Sequence, residues 1–279
     1  MIFTESELQD YRVNGYVIIP CPFPHELTAA CSAAVERVSV APSTVLHDAK
    51  RNHYRLKPQT PNSYWCELDH SLPFLQIALH PEIVELGRQM AGDNDIYFRN
   101  GGINELAPGR SFVWHRDSEY EYVEFMHYFS GATCENGCLR VIPGSHIGEI
   151  DGLMERVKTL RQQDSAPNNS GGGNCADVEL PGEVAIEIAP HHMIVRSSRI
   201  FHATYANQTQ ESRLMNHWLF RESSADNHRF DFTKYLTSEL IACLTPEQRE
   251  VLWLGREFSL DTRWAAERER EIGKVYWSV

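Results

Sequence analysis

Apolar positions along this chain switch from a helical to a strand-like period and back. From His25 to Val38, the residues Leu27, Ala30, Cys31, Ala34, Val35 and Val38 recur at three- and four-residue steps, which marks one buried helical stripe. Thr4-Glu5-Ser6-Glu7 has the form of a capping box, so a helix is predicted to begin there and stop near Asn14-Gly15. Between the two helices, Tyr16 to Ile19 reads as a short strand ended by Pro20 and Pro22. Pro81 to Met90 reads as a third helix, with proline at its first position and Gly92 just past its end. Beyond residue 94 the pattern turns strand-like. Ile96-Tyr97-Phe98, Gly102 to Leu106, Phe112 to Asp117, Val123 to Phe129 and Cys138 to Ile142 form one group, and Glu183 to Ile188, His192 to Arg196, Ile200 to Thr204 and Ser212 to Arg221 a second. Another capping box, Thr245-Pro246-Glu247-Gln248, returns the tail to helix.

Helices at both ends of a strand-rich middle predict a mainly β fold with flanking α-helices: a double-stranded β-helix, that is, a cupin-like jelly roll. No internal repeat or linker divides the chain, so it reads as one domain. Its parts are N-terminal helices over 1–93, a jelly-roll core over about 94–222 and a helical tail over 223–279. Residues 161–176 are polar and glycine-rich and read as a flexible insertion. They lack the lysine pattern of a phosphate loop. Residues 41–66 have no period but gather Lys50, Arg51, His53, Tyr54, Arg55 and Lys57 ahead of Tyr64 and Trp65. That composition fits either a lid over an anionic substrate or a solvated loop.

Charge narrows the partners. A formal net charge of -12 sets aside nucleic acid and anionic membranes and leaves a small molecule. Seven cysteines without a CxxC pair indicate neither a disulfide framework nor a thiolate zinc site. The opening MIFTESELQDY lacks the form of a secretory signal, and no run is long enough to span a bilayer. A cytoplasmic protein is expected. The sequence does not choose between a monomer and a homodimer.

Within this frame, one motif carries chemistry. His115 and Asp117 lie two residues apart on a predicted strand, where i and i+2 share a face. The similar His80-Pro81-Glu82 falls at a helix start, where such residues diverge. His202 follows the strand Arg199-Ile200-Phe201 and supplies a third donor. Two imidazoles and one carboxylate on one face of an octahedral ion leave three positions open, which suits non-haem Fe(II) better than zinc. Arg213, further along, offers a bidentate fork for the far carboxylate of a small diacid.

Four stretches together resemble the phytanoyl-CoA dioxygenase family of iron(II)- and 2-oxoglutarate-dependent oxygenases, which includes the ectoine hydroxylases. They are the N-terminal helix followed by Gly-Tyr-Val-Ile-Ile-Pro, FVWHRD, NGCLRVIPGSH, and the element from His202 to Arg213. The resemblance covers most of the chain. It implies that His115, Asp117 and His202 ligate Fe(II) and that Arg213 pairs with the distal carboxylate of 2-oxoglutarate. It also implies a polar contact to 2-oxoglutarate from Asn104, and a cosubstrate pocket walled by Phe112 and Met126. Many relatives carry glutamine where this chain has Arg116. On a strand that side chain points away from the metal and toward a neighbouring loop. Related halogenases lack the carboxylate, so Asp117 favours hydroxylation.

The activity implied is oxidation of an unactivated C–H bond by O2, coupled to decarboxylation of 2-oxoglutarate to succinate and carbon dioxide. Substrate contacts are expected from Arg51, His53 and Tyr120, and from His217 and Arg221, which alternate with Arg213 along one strand. His146, in the Pro-Gly turn, reads as a turn residue, and His191 and His192 as surface residues. The competing reading is a jelly-roll, cupin-like binding protein that is catalytically inactive or holds another metal.

Overall fold

The structure is a computed structural model. It describes residues 3–39, 45–48, 53–56, 68–92, 95–119, 121–163, 177–222, 236 and 238–254. Helix α1 (Glu5–Asn14) starts at the expected capping box, where the Thr4 hydroxyl accepts from the Glu7 amide and the Glu7 carboxylate accepts from that of Thr4. It ends at Gly15, whose φ of 82° suits glycine. A side chain there would also strike His146, whose ring lies 2.6 Å from the Cβ position. His146 therefore packs against the end of α1, with Nε2 at the Arg12 carbonyl, as expected of a turn residue. The chain then forms β1 (Tyr16–Pro20) and α2 (His25–Ser39).

Two strands, β2 (Val45–Asp48) and β3 (His53–Leu56), occupy part of the stretch that lacked periodicity. Helix α3 (Leu68–Ala78) has no counterpart in the apolar pattern, and Pro73 lies inside it. Helix α4 (Pro81–Ala91) ends at Gly92 as predicted. Strand β4 (Ile96–Leu106) is continuous where Asn100-Gly101-Gly102 suggested a break. Gly101 is needed there, because a Cβ would lie 2.8 Å from the His217 carbonyl of the next strand.

The remaining elements are β5 (Val123–Tyr128), β6 (Leu139–Val141), α5 (Asp151–Gln163), β7 (Val184–Ile186), β8 (His192–Ser197), β9 (His202–Thr204), β10 (Arg213–Glu222), α6 (Ser238–Ala242) and α7 (Pro246–Val251). The first three residues assigned to the flexible insertion, 161–163, are the last turn of α5. Residues 164–176 lie outside the described residues. The expected strand from Phe112 to Asp117 is replaced by one isolated bridge between His115 and His202. Among the described residues, no helix is long and apolar enough to cross a membrane.

The strands form two sheets, as a jelly roll requires. The major sheet has the order β1-β8-β5-β10-β4-β3-β2 and the minor sheet β7-β6-β9. The major sheet is therefore wider than residues 94–222, since β1 to β3 occupy its edges. Alternation along its strands divides the core. Phe125, Val195, Trp218 and Phe220 face outward into one cluster with helix residues such as Leu75, Ile83 and Leu86. Met126, Tyr128, Ile194 and Met215 face inward against Leu139, Val141 and Ile186 of the minor sheet. A third cluster on the outer face of the minor sheet joins Trp114, Phe201 and Ala203 to Val157 of α5.

That outer face also holds a dense polar network. Arg140 is fully buried and clamps both oxygens of Glu183 at 3.1 and 2.5 Å. It also donates to the Asp177 and Val178 carbonyls, and its guanidinium lies 5.0 Å from the Trp114 ring and 4.5 Å from that of Tyr205. Asp177 in turn accepts from two nitrogens of Arg161 and from the backbone amides of Trp114 and Val178. The segment leading to the metal motif is anchored through this network.

Candidate metal and cosubstrate site

The site is built where the two sheets meet. The backbones of His115 and His202 exchange two hydrogen bonds of 2.9 Å, which sets their rings side by side with centroids 4.2 Å apart. Next to this bridge, the Phe112 carbonyl accepts from the Thr204 amide, and the Phe112 amide donates to the Thr204 hydroxyl. Asp117 completes the group. Its Oδ1 lies 3.2 Å from Nε2 of His115 and its Oδ2 lies 3.6 Å from Nε2 of His202. One donor atom from each residue falls within 4.8 Å of the others.

The tautomers follow from the backbone. Nδ1 of His115 lies 2.6 Å from the Val113 carbonyl, and Nδ1 of His202 lies 2.9 Å from that of Ile200. A carbonyl can only accept, so both Nδ1 atoms carry a proton, and Nε2 is the nitrogen each ring turns toward a metal. Burial lowers the His202 pKa well below its usual range, with Arg196 and His115 acting in the same direction. Burial alone would raise the Asp117 pKa, but Arg196, His202 and His115 outweigh it and hold the carboxyl well below the usual carboxylate range. His202 is thus favoured as a neutral imidazole and Asp117 as a carboxylate, the forms that bind a divalent ion.

A cavity of about 220 Å3 opens on these atoms. Its wall includes Phe112, Met126, Tyr128, Leu139, Thr204, Arg213, Met215 and His217. Arg213 is buried, donates to the Gly137 carbonyl and lies 4.7 Å over the Tyr128 ring. Gly137 has a φ of 86°, and a Cβ there would meet Leu106 at 2.4 Å and the Tyr205 carbonyl at 2.8 Å, so the turn that presents its carbonyl depends on glycine. Two polar atoms on this wall, Nε of Arg213 and the hydroxyl of Tyr128, are buried without a hydrogen-bond partner among the described residues. Such atoms call for a ligand or water. A small diacid with one carboxylate at this wall and the other near the triad fits that demand, so the residues present suit 2-oxoglutarate as well as Fe(II).

The structure thus brings His115, Asp117, His202, Arg213, Phe112, Met126 and His217 to one cavity. Arg51 and Tyr120 lie outside the described residues, as do the side chains of His53, Asn104 and Arg221. In the backbone register, Asn104 pairs with Met215 on one side and His53 on the other. Arg116, almost fully buried, reaches the neighbouring loop as expected, donating to the Ser145 and Gly148 carbonyls and to Glu119. His191 is exposed, while His192 is half-buried at the start of β8.

Among the cavity residues that escaped the sequence reading are Arg196, Glu124, Tyr128 and Thr204. Arg196 binds Asp117 Oδ2 at 2.5 Å, pairs with Glu124 Oε2 and lies 3.3 Å from Nδ1 of His202. Glu124 Oε1 accepts from Nδ1 of His217 at 3.1 Å. The available signal was a lone charge inside each of two apolar strands, VEFMHY and HMIVRS, since a buried charge needs a partner.

The sequence model of the phytanoyl-CoA dioxygenase family matches residues 11–215. An ectoine dioxygenase of Bordetella bronchiseptica is 25% identical over 193 residues, which cover 64% of this chain and 61% of that protein. The match thus spans about three fifths of the curated relative's length. Among solved structures, EctD from S. alaskensis with 2-oxoglutarate and 5-hydroxyectoine has a TM-score of 0.56 at 19% identity, covering 80% of this chain and 77% of that one. The carbocyclase SnoK from nogalamycin biosynthesis has a TM-score of 0.56 at 16% identity, covering 79% and 85%. At such identities the structural likeness carries the fold.

Proposed function

The chain belongs to the phytanoyl-CoA dioxygenase family, and from that premise we propose that it is a non-haem Fe(II)- and 2-oxoglutarate-dependent dioxygenase that hydroxylates an unactivated C–H bond of a small polar or natural-product substrate. One observation carries this reading. The three donor residues and the buried fork of Arg213 open on a single cavity, with the Arg213 Nε and the Tyr128 hydroxyl left for a ligand.

In this reading His115, Asp117 and His202 hold the metal. Arg213 and Tyr128 bind the distal carboxylate of the cosubstrate, and Phe112, Met126 and Leu139 exclude water around its chain. Fe(II) and 2-oxoglutarate, when bound, would activate O2, the oxidant, with the cosubstrate giving two electrons and leaving as succinate and carbon dioxide and the C–H bond giving the other two. The protein's share is to hold the reacting C–H bond in place and keep bulk water out. His217, held by Glu124, and Leu219 stand beyond Met215 on the same strand face, so we assign them to the substrate end of the cavity. Arg51, His53, Tyr120 and Arg221 remain further candidates for that end, and Asn104 for the cosubstrate. Among the described residues the cysteines are free, in keeping with a reducing cytoplasm.

Anaerobic addition of Fe(II) and then 2-oxoglutarate tests the proposal. A weak visible charge-transfer band is expected once both are present. A folded protein that gives no band would be a binding protein of the same fold.

A further inference from the structure

We infer that Arg196 is a positioning residue that holds Asp117 as a one-oxygen metal ligand and so keeps a coordination position open for 2-oxoglutarate. The inference rests on the Fe(II) and 2-oxoglutarate reading above. A carboxylate can bind a metal through one oxygen or through both. When both bind, the second takes a position that a chelating keto acid needs. At 2.5 Å, Arg196 engages Oδ2 of Asp117 in a charge-assisted hydrogen bond, while Oδ1 stays beside Nε2 of His115.

Arg196 is itself fixed. Its side chain is 3% exposed, its Nε lies 3.1 Å from the Met126 sulfur, and Glu124 pairs with the same Nη2 that reaches Asp117. Strand β8 is pinned between β1 and β5, with Arg196 registered between Tyr16 and Glu124. The guanidinium therefore cannot follow Asp117 if the carboxylate turns, and the carboxylate is held in one orientation. Support of a ligand's free atom by a fixed neighbour is a general means of tuning metal sites.

The test uses the full chain under anaerobic conditions, with Fe(II) titrated first and 2-oxoglutarate second, the latter followed by the visible band. Glu124→Gln combined with Arg196→Met removes the buried Arg196–Glu124 pair as a unit and leaves the Asp117 carboxylate to the metal. This double variant is expected to bind Fe(II) within about threefold of the unaltered protein, while half-saturation by 2-oxoglutarate rises about tenfold, the scale of one charge-assisted hydrogen bond. Arg196→Lys keeps the charge but gives up the rigid planar guanidinium and its Nε contact to Met126, and a rise of about threefold at unchanged metal affinity is expected. It decides the matter should the double variant fail to fold. Unchanged half-saturation in a folded variant would overturn the inference, as would equal loss of metal and 2-oxoglutarate, which marks a merely structural role. No band in the unaltered protein would instead overturn the oxygenase reading, and this inference with it.

Discussion

Two buried arginine–carboxylate networks flank the minor sheet and differ in how completely they are closed. On the outer face, Arg140, Glu183, Asp177 and Arg161 satisfy one another and the adjoining backbone. On the inner face, Arg196, Asp117, Glu124 and His217 form a similar chain, but it borders a cavity in which the Tyr128 hydroxyl and the Arg213 Nε have no hydrogen-bond partner among the described residues. Both contain a deeply buried guanidinium. A network whose hydrogen bonds are all made has no demand left and can only support the fold, whereas unspent donors beside a cavity require something from outside.

Substitution should separate the two networks. The largest effect is expected at Arg140→Ala, which strands Glu183 without its partner. Unfolding free energy should fall by about 3–5 kcal/mol, seen in denaturant titration, while folded protein still takes up one Fe(II). Asp117→Ala should do the reverse, with Fe(II) affinity falling about a hundredfold or more and a smaller loss of metal-free stability than Arg140→Ala, since the side chain is 35% exposed and Glu124 still pairs with Arg196. Arg213→Ala comes next. It should weaken 2-oxoglutarate about thirtyfold, the scale of a charged hydrogen-bonding pair, and leave Fe(II) binding intact. Equal loss of both would place the cosubstrate elsewhere.

The smallest effect concerns acid. Burial would raise the Asp177 pKa, but the bonds from Arg161, Trp114 and Val178 hold it below the usual value. A depressed folded-state pKa gives stability that is fully present above the unfolded carboxyl value of about 4 and is lost as pH falls through the folded value. Asp177→Asn should therefore cost about 2 kcal/mol at neutral pH. The two stability curves should draw together below about pH 4, and curves that stay parallel would show that the carboxylate charge contributes nothing.

Much of the inner network was legible in the sequence, but for uneven reasons. His115, Asp117, His202 and Arg213 were found because a metal and a diacid impose residue type and spacing together. Spacing grouped residues that the structure also brings together, but by an incomplete route, since Phe112 to Asp117 is not a regular strand and a single bridge orients the pair. Arg196 and Glu124 were missed because a charge in an apolar strand acquires meaning only from the strand beside it. Their pairing arises where β5 and β8 adjoin, and no local pattern encodes that register. Strand β5 is buried on both faces and shows no alternation. Helix α3 escaped because Pro73 interrupts the helical signal, and β4 read as two pieces because its central glycines resemble a turn.

The isolated bridge between His115 and His202 gives the metal a further part to play. Two backbone hydrogen bonds join these residues across the long loop between them, next to the Phe112–Thr204 pair. Opening of this bridge in native-state fluctuations would expose its amides to exchange. An ion held by the two imidazoles would close the same loop with much stronger bonds. Amide exchange at His115 and His202 would then slow in proportion to free metal, about tenfold for each tenfold excess over the dissociation constant. The residues that carry the chemistry would also regulate how often their own sheet comes apart.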